Sequence, residues 1–166
     1  MTGHACTLKA IAASRRRQRG STALEFALLF LPMFALFYAI VSYGLVFLLM
    51  ESFSSAAEGG ARAAVAVDPT AYTDTNDYLN NGVIPVVRDQ VAAQLGWLPD
   101  SIKDVVLGAD NQNVRVSLDS SNQVLTVEVG YEDYHSSPVI PMLTLPMIGA
   151  LPKVPAELGS RATVRL

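Results

Sequence analysis

The chain is short of most things that catalysis needs. Of its 166 residues one is a cysteine, Cys6, and two are histidines, His4 and His135. A lone cysteine excludes a disulfide within the chain and a cysteine-rich zinc site, so the fold must rest on packing. With His4 in a basic leader, a Ser–His–Asp relay would need His135, which follows Glu132 and Asp133. A solvated loop histidine is the plainer reading, and a metal held by these three residues would lack the ligand cluster of a structural site. There is no phosphate-binding glycine loop and no dinucleotide fingerprint. The expectation is therefore no catalytic residue, no metal and no cofactor. The length allows one modest domain and excludes a large multidomain enzyme.

Charge is scarce as well, at 16% of residues where soluble domains run near 25%. What charge there is falls unevenly. Residues 1–20 carry Lys9, Arg15, Arg16, Arg17 and Arg19 and no acid, a balance of +5, whereas residues 21–166 carry 7 basic against 15 acidic groups, giving −8 and a total of −3. The acidic bulk would repel phosphate, which argues against nucleic acid as a partner. Between Glu25 and Glu51 no charge occurs for 25 residues. As a helix this run rises about 37.5 Å, enough to cross a hydrocarbon core of about 30 Å. Pro32 costs one helical hydrogen bond, which membrane helices tolerate. Tyr38 and Tyr43 fall mid-span and read as packing positions. Basic residues precede the span, and the first acids after it are Glu51 and Glu58. Positive-inside bias then puts the amino end in the cytoplasm and residues 51–166 outside.

A second uncharged run, residues 134–152, contains Pro138, Pro141, Pro146 and Pro152, with Pro155 just beyond. Prolines so closely spaced prevent a continuous helix, and unpaired backbone cannot sit in lipid. The run reads as an extended apolar loop and not as a second span. Two readings stay open for it: a cover for the domain's own sheet, or an apolar surface for the membrane or a neighbouring subunit, carried by Met142, Leu143 and Met147.

Several signals compete for the amino end. Ala61-Arg62-Ala63 fits a secretory cleavage site formally, but the apolar core is too long and the site too far beyond it. A mitochondrial presequence matches residues 1–20 by composition only. An uncleaved anchor satisfies the positive-inside argument without any processing. Glu25 points elsewhere. A carboxylate at the head of an apolar helix costs about 2.5–3.5 kcal/mol if carried to the bilayer centre, so it is a functional residue by default. Its bland alternative is a side chain that snorkels to water. A cut after Gly20 would remove all five leader charges and leave Ser21 with a free amine, protonated at neutral pH and able to pair with that carboxylate.

Gly20, Glu25 and Phe26 resemble the class III prepilin signal, a glycine before the cut and a glutamate at the fifth mature position followed by an aromatic. The wider stretch, with its basic leader, the Arg19-Gly20 pair, the span, Tyr43-Gly44 and Gly60-Ala61-Arg62, resembles the TadE-like family of pseudopilins from tight-adherence (Flp) pilus systems. The resemblance covers about residues 15–67, and many relatives carry an acid where Ser42 stands here. It implies cleavage between Gly20 and Ser21 by a prepilin peptidase that reads Arg19, Glu25 and Phe26. It also implies an inner-membrane protein whose partners are pilin, other pseudopilins and the assembly platform, with Arg62 in a partner interface. A TadF-like relative shares the same front end.

The helical pattern continues from Glu25 to about Val67 and turns rich in Ser, Ala and Gly after residue 51. Small residues suit a stalk bundled with other helices; alanine propensity alone would give a solvated stalk. Gly59-Gly60 is a possible kink. Residues 68–82 are a turn-rich connector whose Asp74, Asn76 and Asp77 lack the spacing of a calcium loop. Val83, Val87, Val91, Leu95 and Leu98 form one helix face, with Asn80 or Asn81 as cap and Pro85 in the first turn. Trp97 reads as an anchor against the sheet. Val114, Val116 and Leu118 alternate, as do Leu125, Val127, Val129 and Tyr131, across a turn at residues 119–122, so a hairpin is expected. Ala162, Val164 and Leu166 suggest a third strand, and Val105-Val106-Leu107 a short fourth. The predicted organisation is a leader at 1–20, a transmembrane and stalk helix at 21–67 and a periplasmic α+β domain at 68–166, with a helix packed on a short antiparallel sheet. The functional alternative is an uncleaved, single-pass membrane-anchored binding domain.

Overall fold

The computed structural model describes residues 18–145 and 149–166. The chain divides into two compact units, one ending at Ile40 and one covering Val41–Leu166. A single helix, α1 (Gln18–Val65), supplies most of the first and the opening of the second, and it continues through both Pro32 and the Gly59-Gly60 pair. In the first unit it exposes large apolar side chains, among them Leu24, Phe26, Phe30, Phe34 and Phe37. Phe26, Phe30, Phe34 and Tyr38 stack at four-residue intervals, with ring centroids 5.7, 5.9 and 6.4 Å apart. That spacing puts them one above the other on one helix face.

In the second unit α1 buries a stripe. Ser42, Val46, Leu49, Phe53, Ala56, Ala57, Ala61 and Ala64 are buried, at the three- and four-residue intervals of a core-facing helix. Small residues matter here because a partner comes close. A Cβ at Gly60 would lie 3.0 Å from methyl groups of both Val87 and Val91, and one at Gly59 would overlap the Gln94 side chain. The small-residue face is therefore filled by the domain's own residues, which corrects both the bundled and the solvated stalk.

After α1 the chain turns through a 3₁₀ segment, Pro69–Ala71, whose N-cap Asp68 accepts from the Thr70 amide. It then enters a continuous helical run: α2 (Thr75–Asp77), a π-helical stretch Tyr78–Val83, and α3 (Ile84–Gln94). The cap of this run is Asp74, which accepts from the Asp77 amide. Asn80 and Asn81 lie inside it, donating to the Asn76 carbonyl and the Asp77 carboxylate, so neither is the cap expected from sequence. The face Val83, Val87, Val91, Leu95 and Leu98 is buried throughout, as its periodicity implied. Residues 105–107, expected as a strand, instead close α4 (Asp100–Val106). Pro99 precedes its first turn, Asp100 pairs with Lys103 at 2.7 Å, and Ile102 and Val106 bury one face. Spacing over a full turn outweighed the local β-branched run.

The sheet has the order β1 (Arg115–Asp119), β2 (Val124–Tyr131), β5 (Leu158–Arg165), antiparallel throughout. Leu125, Val127, Val129 and Tyr131 face the core from the central strand, and Asp119 fastens the hairpin turn by accepting from the Ser121 amide. The expected hairpin and carboxy-terminal strand are both present, the latter extended back to Leu158. Gly130 pairs with Gly159, and a Cβ on either would press on the opposite backbone at 3.1–3.3 Å. The proline-rich run forms a second, two-stranded sheet of β3 (Leu143–Leu145) and β4 (Gly149–Leu151). Trp97 does not anchor the sheet: it is 55% exposed. The observed class is α+β, a long apolar helix followed by helices and a small antiparallel sheet.

Candidate processing and docking sites

The bond between Gly20 and Ser21 lies within α1 (Gln18–Val65). The residues before it, 1–17, lie outside the described residues, and so do the leader charges, Cys6 and His4. Glu25 and Phe26 are exposed on α1. Arg19, Gly20 and Ser21 lie within the same helix.

Arg62, near the end of α1, is exposed and pairs with Glu58 at 3.0 Å. This is a solvent-facing pair on the side of the helix away from the buried stripe. Met142 and Leu143 are half-buried, and Met147 lies outside the described residues.

The loop that carries Met142 is tied at both ends. Tyr131 donates its hydroxyl to the Ser137 carbonyl at 2.5 Å, and the buried Tyr134 donates its amide to the Ala156 carbonyl at 2.7 Å. Tyr131 and Tyr134 meet edge to face, with centroids 5.5 Å apart. Burial, and then the neighbouring Tyr134, hold the Tyr131 hydroxyl above its ordinary pKa. Val139 and Val154 pack on the core. One contact escaped the sequence: the Lys153 amide donates to the Tyr43 hydroxyl at 3.0 Å. Tyr43 thus has a polar partner and is more than a packing position. The available signal was Lys153 itself, a cation set in a long apolar stretch.

The remaining polar clusters serve local structure. The Asp68 carboxylate is held below its ordinary range by the Thr70 hydroxyl and amide, and Asp77 by the Asn81 amide group and then Thr73. His135 is exposed, with Nε2 at 3.1 Å from the Val154 carbonyl. The adjacent carboxylates have other partners, Glu132 with Arg115 and Asp133 with Ser136. Among the described residues no three His, Cys, Asp or Glu side chains converge to hold a metal. A shallow cavity of about 410 Å³ opens over the Gly130–Gly159 pair, rimmed by Arg115, Glu128, Glu132 and Arg161. A smaller one lies between Glu51, Ser52, Ser55, Gln94 and Trp97.

Residues 20–62 match the TadE-like protein family. The match covers 43 of the 166 residues. No curated protein and no solved structure matches the chain. The TadE-like segment opens at Gly20, includes Glu25, Phe26 and Tyr43-Gly44, and ends on Arg62, so the resemblance drawn from these residues is borne out over that range. The matched range overlaps the one helix among the described residues that is long and apolar enough to cross a membrane.

Proposed function

We propose that this chain is a minor, pseudopilin-like membrane protein of a tight-adherence (Flp) pilus assembly and secretion system, cut between Gly20 and Ser21 by a prepilin peptidase. The observation that carries the reading is the TadE-like match, which starts at Gly20 and runs on through Glu25, Phe26 and the apolar helix. The peptidase performs the chemistry and this chain supplies the bond, so its own role is structural. Positive charge before the span orients the amino end to the cytoplasm and the α+β domain to the periplasm. Once cut, the chain loses the +5 leader that fixed that orientation, and the Ser21 amine can pair with the Glu25 carboxylate. A helix end relieved of its charge is easier to draw out of the bilayer toward pilin, other pseudopilins and the assembly platform.

Intact mass and amino-terminal sequencing of membrane-extracted protein, with and without a co-expressed prepilin peptidase, test the cut. The expected product begins at Ser21 only when the peptidase is present. A chain that begins at Met1 in both cases would leave an uncleaved, membrane-anchored binding domain as the surviving reading. Glu25→Gln is expected to insert normally and to impair assembly; normal pili from that variant would remove the carboxylate's role.

A further inference from the structure

The proline-rich segment is held at a definite height along α1, and that height bears on its surroundings. The Lys153 amide is bonded to the Tyr43 hydroxyl at 3.0 Å. Tyr43 lies eight residues before Glu51, the charge that ends the apolar run, or about 12 Å along the axis on the apolar side. Leu151 is two residues from Lys153, and Leu143 is its strand partner. The β3–β4 hairpin therefore starts close to the Tyr43 level. Around the same level α1 exposes Leu45, Phe47, Leu48 and Met50, with Phe47 at 70%, while Ser42, Val46 and Leu49 on its other side are covered. Ile140, Met142, Leu143 and Leu151 in the loop are half-buried. Two separate elements of Val41–Leu166 thus present apolar side chains at one height, and from Glu51 to Ala64 α1 exposes no further large apolar side chain.

We propose that these two elements form an apolar collar that lies in the headgroup–acyl boundary of the bilayer, so that the α+β domain is seated in the lipid surface and not carried clear of it. The inference rests on reading α1 as a membrane span. An uncharged run of about 37.5 Å exceeds a hydrocarbon core of about 30 Å, so its last residues fall in the interfacial layer. With the whole excess of about 7.5 Å at this end, a loop bonded at Tyr43 reaches about 4.5 Å past the edge of the hydrocarbon, within the depth to which interfacial apolar elements sink. The backbone chemistry fits a boundary layer: strand pairing satisfies the facing groups of β3 and β4, Tyr43 satisfies the Lys153 amide, and the outward-facing groups need the headgroup water that the hydrocarbon centre lacks. The exposed ammonium of Lys153 suits lipid phosphate, its stem lying on the apolar side.

Depth measurement on the full chain tests this. In a Cys6→Ser background, Leu143→Cys, Thr144→Cys, Ser121→Cys and Phe34→Cys are each labelled with a nitroxide and reconstituted in phosphatidylcholine–phosphatidylglycerol vesicles. Relaxation by oxygen, which partitions into lipid, is compared with relaxation by a water-soluble nickel chelate. The Leu143 and Thr144 labels are expected to favour oxygen severalfold over the Ser121 label in the exposed hairpin turn, with Phe34 deeper still. Lys153→Glu is expected to shift the Leu143 label toward nickel. Thr144 is exposed, so its substitution guards against loss of packing at Leu143. The proposal is overturned if both loop labels respond like Ser121, if neither reagent reaches them in vesicles or in detergent, or if their spectra show spin–spin broadening that disappears on dilution with unlabelled chain, which would make the occupant a second copy. A water-accessible Phe34 label would remove the membrane span and the collar together. A deep Phe34 with aqueous loop labels would remove the collar alone.

Discussion

The two stretches of α1 on either side of residue 41 share a helix but not a composition. The first presents Phe, Leu and Met on all sides, and nearly all of them are exposed. The second carries Ala, Gly and Ser on one face, and that face is buried against α3 and β2. Apolar content alone would treat the two alike. Residues 41–50 still expose Leu45, Phe47, Leu48 and Met50; beyond Phe53 the buried face turns to small side chains, which let a second backbone come close.

The sharpest way to break this comparison is to make the same truncation in both stretches. Phe53→Ala, at a fully buried site, should cost about 3–5 kcal/mol in denaturant unfolding of the detergent-solubilised chain. Phe30→Ala, at a residue 49% exposed, should leave that transition unchanged. Equal effects would mean the two stretches are not differently packed.

Glycine offers the next contrast, now within the second stretch. Gly60→Leu drives a large side chain into Val87 and Val91 and should cost about 1–3 kcal/mol by overpacking. Nothing lies within 4 Å of a Cβ at Gly44, so Gly44→Ala should be neutral or stabilise by up to about 1 kcal/mol through helix propensity. Thermal melts of the two variants measure the difference.

Sequence reading recovered the long helix, the buried face of α3 and the three-stranded sheet, because each shows as a period of 3.6 or 2 over a full element. It failed where a short run was ambiguous or a partner came from far along the chain. Val105-Val106-Leu107 is β-branched locally, yet Ile102 and Val106 set a helical spacing. Asn80 and Asn81 look like caps, but Asp74 starts the helical run earlier. The Tyr43–Lys153 bond joins positions 110 residues apart, and no local pattern announces it. The TadE-like pattern over residues 20–62 was legible because it is linear and needs no tertiary contact.

Acid and base should both act on the domain. Asp68, Asp77, Asp100 and Asp119 are held below the ordinary carboxylate range by hydrogen bonds to Thr70, Asn81, Lys103 and Asn122 respectively. Folded pKa values below unfolded ones give stability that is present at neutral pH and is lost as pH falls through the folded values, below about 3.9. Tyr78 and Tyr131 are raised, by burial first and then by neighbouring groups, so their contribution is lost as pH rises above about 10. Melting temperature followed by circular dichroism should therefore fall at the acid end and again at the alkaline end. No fall at either end would remove these groups from the pH response.

The smallest effect concerns Arg62. Arg62→Ala removes an exposed pair four residues apart on a helix and should change stability by only about 0.2–0.5 kcal/mol. If the same variant assembles poorly while melting normally, Arg62 belongs to an interface with a partner; normal assembly would leave it a surface ion pair.

The buried stripe on α1 has a mechanical consequence. It runs from Ser42 to Ala64, about 33 Å along the helix axis. Tension along Val41–Val65 acts parallel to that seam. The seam is then loaded in shear, with its interlocked side chains sharing the pull along its whole length instead of parting one after another from an end. A pull on this stretch of helix therefore meets the whole seam at once.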